Sequence, residues 1–149
     1  MIFLSLGHSV VAVEQSKIIF LLINDWIRRA KPFIPFLSNI KLINANSVDV
    51  FKKIDNSFDI IYLDPMYPVL KKNIKKSGEL AALRSILEIE NLIDDADSII
   101  KSFINFGYKK LILKRPLKSK KFYSNINYQV KGSSTRFDIY IWLLLKMNH

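Results

Sequence analysis

Short apolar runs alternate along this chain with longer stretches in which apolar residues recur every three or four positions. The first pattern predicts buried strands and the second amphipathic helices. Val10 to Val13, Ile40 to Ala45, Ile60 to Leu63 and Leu111 to Leu113 are predicted strands. Ser16 is placed to cap a helix running to about Lys31, with Arg28, Arg29 and Lys31 at its negative dipole end and Pro32 beyond it. A short helix is predicted from Val48 to Lys53 and another from Glu79 to about Ile89. Leu92, Ile93, Ala96, Ile99, Ile100, Phe103 and Ile104 trace a helical stripe that Gly107 ends. Tyr128 to Lys131 and Phe137 to Leu144 read as an antiparallel hairpin. Strands alternating with helices and closed by a hairpin predict an α/β sheet in one domain spanning residues 1–149, without repeat or linker. Ile60 to Leu63 are expected to be buried on both faces, and Trp26, Trp142, Phe33 and Phe36 to be core.

Half of the 149 residues are hydrophobic, enough for a substantial core. There is no cysteine and only two histidines, His8 and His149, which removes disulfides and thiolate chemistry and leaves almost no ligands for a metal. No metal is expected. No apolar run reaches the roughly 18 residues of a membrane-spanning helix and no basic leader opens the chain, so a cytoplasmic location is expected.

The chemistry is concentrated where the third strand stops, at Asp64-Pro65-Met66-Tyr67-Pro68. Parallel strands of α/β proteins present ligands in the crevice beyond their carboxyl ends. An ionised Asp64 offers only acceptor oxygens, and Pro65 has no N–H to compete with its own carbonyl. Two adjacent acceptors suit an exocyclic –NH2 group on a nucleobase, whose lone pair is delocalised into the ring. Holding both N–H bonds favours a more tetrahedral nitrogen and aims the lone pair at an electrophile. Tyr67 is placed to stack on the base, and the two prolines restrict the backbone on either side of it. The structural alternative is an ordinary strand-exit turn with a half-buried ring.

This string resembles the Asp/Asn-Pro-Pro-aromatic signature of amino-group methyltransferases that use S-adenosylmethionine. With Met66 in the third position it is closer to the Asp-Pro-Met-Phe-Pro string of the ribosomal RNA small subunit methyltransferase J family. Leu6-Gly7-His8-Ser9-Val10-Val11-Ala12-Val13-Glu14 resembles that family's second strand and its terminal acid, and Ile112-Leu113-Lys114-Arg115-Pro116 its Val-Val-Lys-Arg-Pro strand exit. Lys131-Gly132 and Arg136-Phe137-Asp138-Ile139-Tyr140 resemble its closing hairpin, with Ser133, Ser134 and Thr135 lengthening the turn.

The resemblance implies a Rossmann-like sheet and transfer of the S-adenosyl-L-methionine methyl group to the N2 amine of a guanine in 16S rRNA. On that reading Asp64, Pro65 and Tyr67 are the catalytic set. Glu14, Gln15, Asn46, Ser47 and Asp64 face the cofactor: Glu14 for the ribose hydroxyls, Asn46 and Ser47 for the adenine edge. Gln15 stands where the family has a basic residue. Each has a bland alternative, Glu14 as a solvated helix-capping acid and Asn46 and Ser47 as caps for the helix that follows. Arg136 and Asp138 either brace the hairpin or turn Arg136 toward RNA.

Charge supports an RNA partner, either 16S rRNA or the small ribosomal subunit. The net charge is +10; residues 1–68 carry seven basic and six acidic side chains, a balance of +1, and residues 69–149 carry sixteen and seven, a balance of +9. Lys71, Lys72, Lys75 and Lys76 form one cluster; Lys109, Lys110, Lys114, Arg115, Lys118, Lys120 and Lys121 form another. Such clusters attract a phosphate backbone without reading sequence. A solvated charged face is their bland alternative.

The family also has a central strand and Gly-rich loop ahead of the helix that Ile2 to Leu6 finish. Met1 falls within that helix, so a start upstream, a decayed gene product, or another polypeptide supplying the strand is expected. In the family order that strand lies between those ending at Glu14 and Asp64. Two other functions remain open: a DNA amino-methyltransferase, against which the lack of a target-recognition region argues, and a non-catalytic fragment that binds RNA or nothing.

Overall fold

The computed structural model describes residues 1–54, 58–65, 78–92, 96–106, 108–122 and 126–141. In order they form α1 (Ile2–Ser5), β1 (Val10–Glu14), α2 (Lys17–Ala30), a 3-10 turn (Pro35–Asn39), β2 (Ile40–Asn44), α3 (Ser47–Lys53), β3 (Ile60–Leu63), α4 (Gly78–Ile89), α5 (Ala96–Phe106), β4 (Lys110–Pro116), β5 (Tyr128–Lys131) and β6 (Thr135–Ile141). The predicted strands and helices recur in place. The helical stripe starts at Ala96, so Leu92 precedes it, while Ile93, Gly107, Trp142 and the segment from Met66 to Ser77 lie outside the described residues. Two compact units contain these elements: residues 1–53 with 74–93, and residues 54–73 with 94–149.

In the first unit β1 and β2 pair in parallel, from Val10 against Ile40 to Glu14 against Asn44. Along α2, Ile19, Ile23, Ile27 and Ala30 are half-buried at helical spacing, whereas Ile18, Leu22 and Trp26, one position earlier, are exposed. The expectation that Trp26 is core is corrected, since it is 43% exposed, and Phe33 is exposed as well. Two strands about 5 Å apart give α2 a ribbon wide enough for one apolar stripe and not for two. Leu4 of α1 and Leu37 of the 3-10 turn are buried in this unit.

Two helix ends here are closed by left-handed residues. Gly7, at φ +85°, follows α1; its N–H donates to the Leu4 carbonyl and the His8 N–H to the Phe3 carbonyl. Asn91, at φ 53°, follows α4 in the same way, its N–H bonding to Glu88 and the Leu92 N–H to Leu87. Both satisfy carbonyls that a helix end leaves without partners.

In the second unit the strands lie in the order β3-β4-β6-β5. β3 and β4 are parallel, with Leu63 against Leu113, and the rest of the sheet is antiparallel. Ile61, Leu63, Leu111, Leu113 and Tyr140 are buried, and so are Ile100 and Phe103 of α5. Burial alternates along β3: Ile61 and Leu63 are buried, while Ile60 and Tyr62 are exposed. The expectation of a strand buried on both faces is corrected. Among the described residues β3 pairs on one flank only, with β4, and one of its faces meets the core. β6 begins at Thr135, two residues before the predicted Phe137, because Gly132 N–H donates to the Thr135 carbonyl at 2.8 Å and closes a tight turn over Ser133 and Ser134.

Candidate methyltransferase site

In the first unit the chemistry gathers where β1 and β2 end. Asn44, the last residue of β2, donates through Nδ2 to the carbonyls of Glu14 and Gln15, at 2.9 and 3.2 Å, and so fixes the backbone leaving β1. One Glu14 oxygen, Oε1, accepts from Ser16 N–H at 2.8 Å. Oε2 accepts no hydrogen bond among the described residues. The half-buried Asn46 accepts from Val48 N–H at 2.9 Å, capping α3, and its Nδ2 donates to Gln15 Oε1 at 3.2 Å. Ser47 opens α3 directly after it. The bland readings of Glu14 and Asn46 as local caps are therefore realised. They leave one Glu14 oxygen and the amide of exposed Gln15 at the same strand ends, a donor and acceptor set that fits a ribose diol and a heteroaromatic edge.

A longer-range clamp sets the direction in which the chain leaves this cluster. Ser16, fully buried, caps α2 by accepting from Ile19 N–H at 3.1 Å and donates its hydroxyl proton to Glu90. The other Glu90 oxygen accepts from Ile18 N–H at 3.1 Å. The Ser16 hydrogen bond, aided by the backbone of Ile18 and Lys17 and by the Lys17 charge, holds the Glu90 carboxyl below its ordinary range against the opposing effect of burial. Nothing in the local sequence marks Glu90, which is 74 positions from Ser16. The left-handed residue Asn91, which closes α4, follows it directly.

In the second unit Asp64 leaves β3 at its carboxyl end, followed by half-buried Pro65. Because the register sets Leu63 against Leu113, the next residues are neighbours, and Lys114 Nζ donates to Asp64 Oδ2 at 2.8 Å. Their side chains are 36% and 46% exposed. The Asp64 hydrogen bond, then its charge and that of Tyr62, raise the Lys114 ammonium above its ordinary range, with burial opposing. Burial and the Asp64 charge push the Tyr62 phenol up, and the Lys114 charge partly offsets them. Asp64 thus carries a paired oxygen and a second oxygen at a solvent-accessible strand end.

Arg115, placed on the RNA side by sequence, is only 8% exposed. Its Nε donates to Ser119 Oγ at 3.2 Å and its guanidinium lies 5.6 Å from the Phe122 ring centre. Arg136 braces the hairpin. Its Nη1 donates to the carbonyls of Leu117 and Ser119, at 2.9 and 2.6 Å, and Nη2 to that of Lys120 at 3.3 Å. The turn they secure presents Lys118, Lys120 and Lys121 to solvent. Tyr67, Lys71, Lys72, Lys75 and Lys76 lie outside the described residues. Among the described residues no group of three metal-binding side chains occurs, and no helix is long and apolar enough to cross a membrane.

An α/β fold with an acid at the end of one parallel strand and Asp-Pro at the end of another defines a Rossmann-like S-adenosyl-L-methionine-dependent methyltransferase. Residues 1–142 match the family described as "Putative SAM-dependent methyltransferase", and the chain belongs to that family. Family and fold imply S-adenosyl-L-methionine as the cofactor. The chain is 33% identical over 144 residues to the ribosomal RNA small subunit methyltransferase J of Francisella tularensis subsp. novicida, covering 90% of itself and 57% of that protein. To the protein of that name from Bdellovibrio bacteriovorus it is 28% identical over 138 residues, covering 91% and 53%. A crystal structure of a SAM-dependent methyltransferase from Neisseria gonorrhoeae matches 95% of this chain and 59% of that one, with a TM-score of 0.65 at 27% identity. The chain spans somewhat more than half the length of these relatives.

Proposed function

We propose that this chain acts in methylating the exocyclic N2 amine of a guanine in 16S rRNA, free or within the small ribosomal subunit, as a single catalytic domain. The observation that carries this reading is the Asp64 carboxylate at the exit of β3, one oxygen held by Lys114 and the other without a hydrogen-bond partner among the described residues. Relatives named ribosomal RNA small subunit methyltransferase J support the choice of polymer.

Asp64 Oδ1 and the Pro65 carbonyl accept the two N–H bonds of the amine, which localises its lone pair and directs it. Tyr67 stacks on the guanine, which must be unpaired or flipped out to reach it. Glu14 would hold the ribose hydroxyls of the cofactor, Gln15, Asn46 and Ser47 would serve its adenine, and Asp64 would serve its amino-acid end. S-adenosyl-L-methionine would supply an electrophilic sulfonium methyl group: as the N–C bond forms the S–C bond breaks, its electron pair leaves with S-adenosylhomocysteine, and the amine gives up one N–H proton to water. The 149 residues include no cysteine, and direct transfer to the amine requires no thiolate nucleophile. Lys71, Lys72, Lys75 and Lys76, with Lys118, Lys120 and Lys121, hold the RNA backbone electrostatically. Lys114, whose ammonium is paired with Asp64, and Arg115, which is 8% exposed, are left out of this proposed set.

The test is incorporation of labelled methyl groups into 16S rRNA, small subunits and duplex DNA. Transfer to rRNA or subunits and not to DNA is expected, with the label recovered as N2-methylguanine and lost in Asp64→Ala. Equal transfer by Asp64→Ala removes Asp64 from the mechanism, and transfer to DNA alone reassigns the polymer.

A further inference from the structure

Lys114 belongs by sequence to a basic cluster, yet its ammonium is already committed. It sits in β4 between Leu113 and Arg115, both buried, so its backbone is anchored on either side. The parallel register of β3 and β4, with Leu63 against Leu113, sets it beside Asp64, and the pair closes at 2.8 Å. A phosphate reaching for this ammonium would have to displace the Asp64 carboxylate or lie next to it, bringing two negative charges together.

We infer that Lys114 is a positioning residue for Asp64 and not an RNA contact: it holds Oδ2 and thereby presents Oδ1 to the substrate amine. This rests on the reading of Asp64 as the group that holds the amine. A carboxylate at a strand end has two free torsions, and with both oxygens unbound it samples several rotamers. An ammonium fixed to the neighbouring strand selects one of them. The pair is also electrically neutral, so the group meeting the amine works through direction and acceptor geometry and not through net negative charge. Misplacing such a group by about 1 Å costs on the order of a hundredfold in rate.

The two roles separate in the kinetics of Lys114→Met, which keeps an unbranched chain and removes the charge. With the protein, labelled cofactor and 16S rRNA, kcat at saturating RNA is expected to fall at least about tenfold. The RNA dissociation constant and its dependence on salt stay unchanged, whereas a lost phosphate contact would weaken binding and lower the salt slope by about one. Lys114→Arg, which retains a cation in reach of Oδ2, recovers part of kcat. An unchanged kcat in Lys114→Met with a lower salt slope overturns the inference and returns Lys114 to the RNA surface. A folding defect in Lys114→Met is detected by circular dichroism. The decision then falls to Asp64→Asn, in which the Lys114 side-chain amine, followed by NMR, titrates at lower pH if the pair exists in solution and at the parental pH if it does not. Full activity of Asp64→Ala beside a weak Lys114→Met would instead sink the Asp64 reading itself.

Discussion

Arg136 and Asp138 stand two residues apart on one face of β6 and are joined twice, Nε to Oδ1 at 2.9 Å and Nη2 to Oδ2 at 3.2 Å, with both side chains buried. Gln129 of β5 adds a third hydrogen bond to Oδ1 at 2.6 Å. With its three carbonyl partners, Arg136 uses all five of its donor protons. Arg115 lies directly opposite Arg136 in the β4–β6 register, so the Asp138 carboxylate offsets the Arg136 charge beside a second buried guanidinium. Removing one partner of a buried pair strands the other, so Asp138→Ala is expected to destabilise this unit by about 3–5 kcal/mol in urea denaturation. Asp25→Ala, which breaks the exposed contacts to Arg28 and Arg29, should leave the urea midpoint nearly unchanged by comparison.

The clamp on α2 predicts acid sensitivity in the other unit. Glu90 has a folded pKa below its unfolded value of 4.5, so its contribution is present above that value and is lost as pH falls through the lower, folded pKa. Circular dichroism should show helix loss at low pH in the parent that is smaller in Glu90→Gln, which has no carboxylate to protonate. Ser16→Ala removes the cap itself and should cost about 0.5–2 kcal/mol at neutral pH.

Lys114 predicts the opposite dependence. Its folded pKa is raised by Asp64, so the stability from the pair is complete below its unfolded value of 10.5 and is lost as pH rises through the folded value. In Asp64→Asn the alkaline part of the stability profile should flatten. The pair is partly exposed, which screens the effect and makes it small.

The β1 and β2 strand ends predict a division of labour. Glu14→Gln keeps an oxygen for Ser16 N–H but loses the charge for a ribose diol, so calorimetry should show S-adenosyl-L-methionine binding weakened about tenfold with the melting temperature little changed. Asn46→Ala should lower stability by about 1 kcal/mol through the lost cap on α3 as well as weaken binding. Equal cofactor affinity in Glu14→Gln and the parent would remove Glu14 from the site.

The left-handed residue that closes α4 gives a check on backbone conformation. Asn91→Gly should be neutral or slightly stabilising, because glycine adopts the left-handed region freely, while Asn91→Val should be destabilising by about 1–2 kcal/mol. The same pair at an exposed position inside α2 should rank the other way, with valine favoured over glycine.

Much of this molecule is legible without coordinates. The strands ending at Glu14 and Asp64, the Ser16 cap and the hairpin follow from apolar period, capping chemistry and turn residues, which act over a few positions. What sequence left undecided is non-local. Apolar character placed Trp26 and Phe33 in a core that a two-stranded ribbon is too narrow to provide. Lys114 and Arg115 are adjacent basic residues in one charge run, but alternate residues of a strand face opposite sides, so one meets Asp64 and the other goes inside. Glu90 joins Ser16, and Arg136 takes the carbonyls of Leu117, Ser119 and Lys120, across separations at which no sequence pattern operates. Sequence by itself determined the elements and the residue types at the strand ends. Tertiary structure decided which charges are spent on one another, because pairing requires a register and a distance that only the folded sheet supplies.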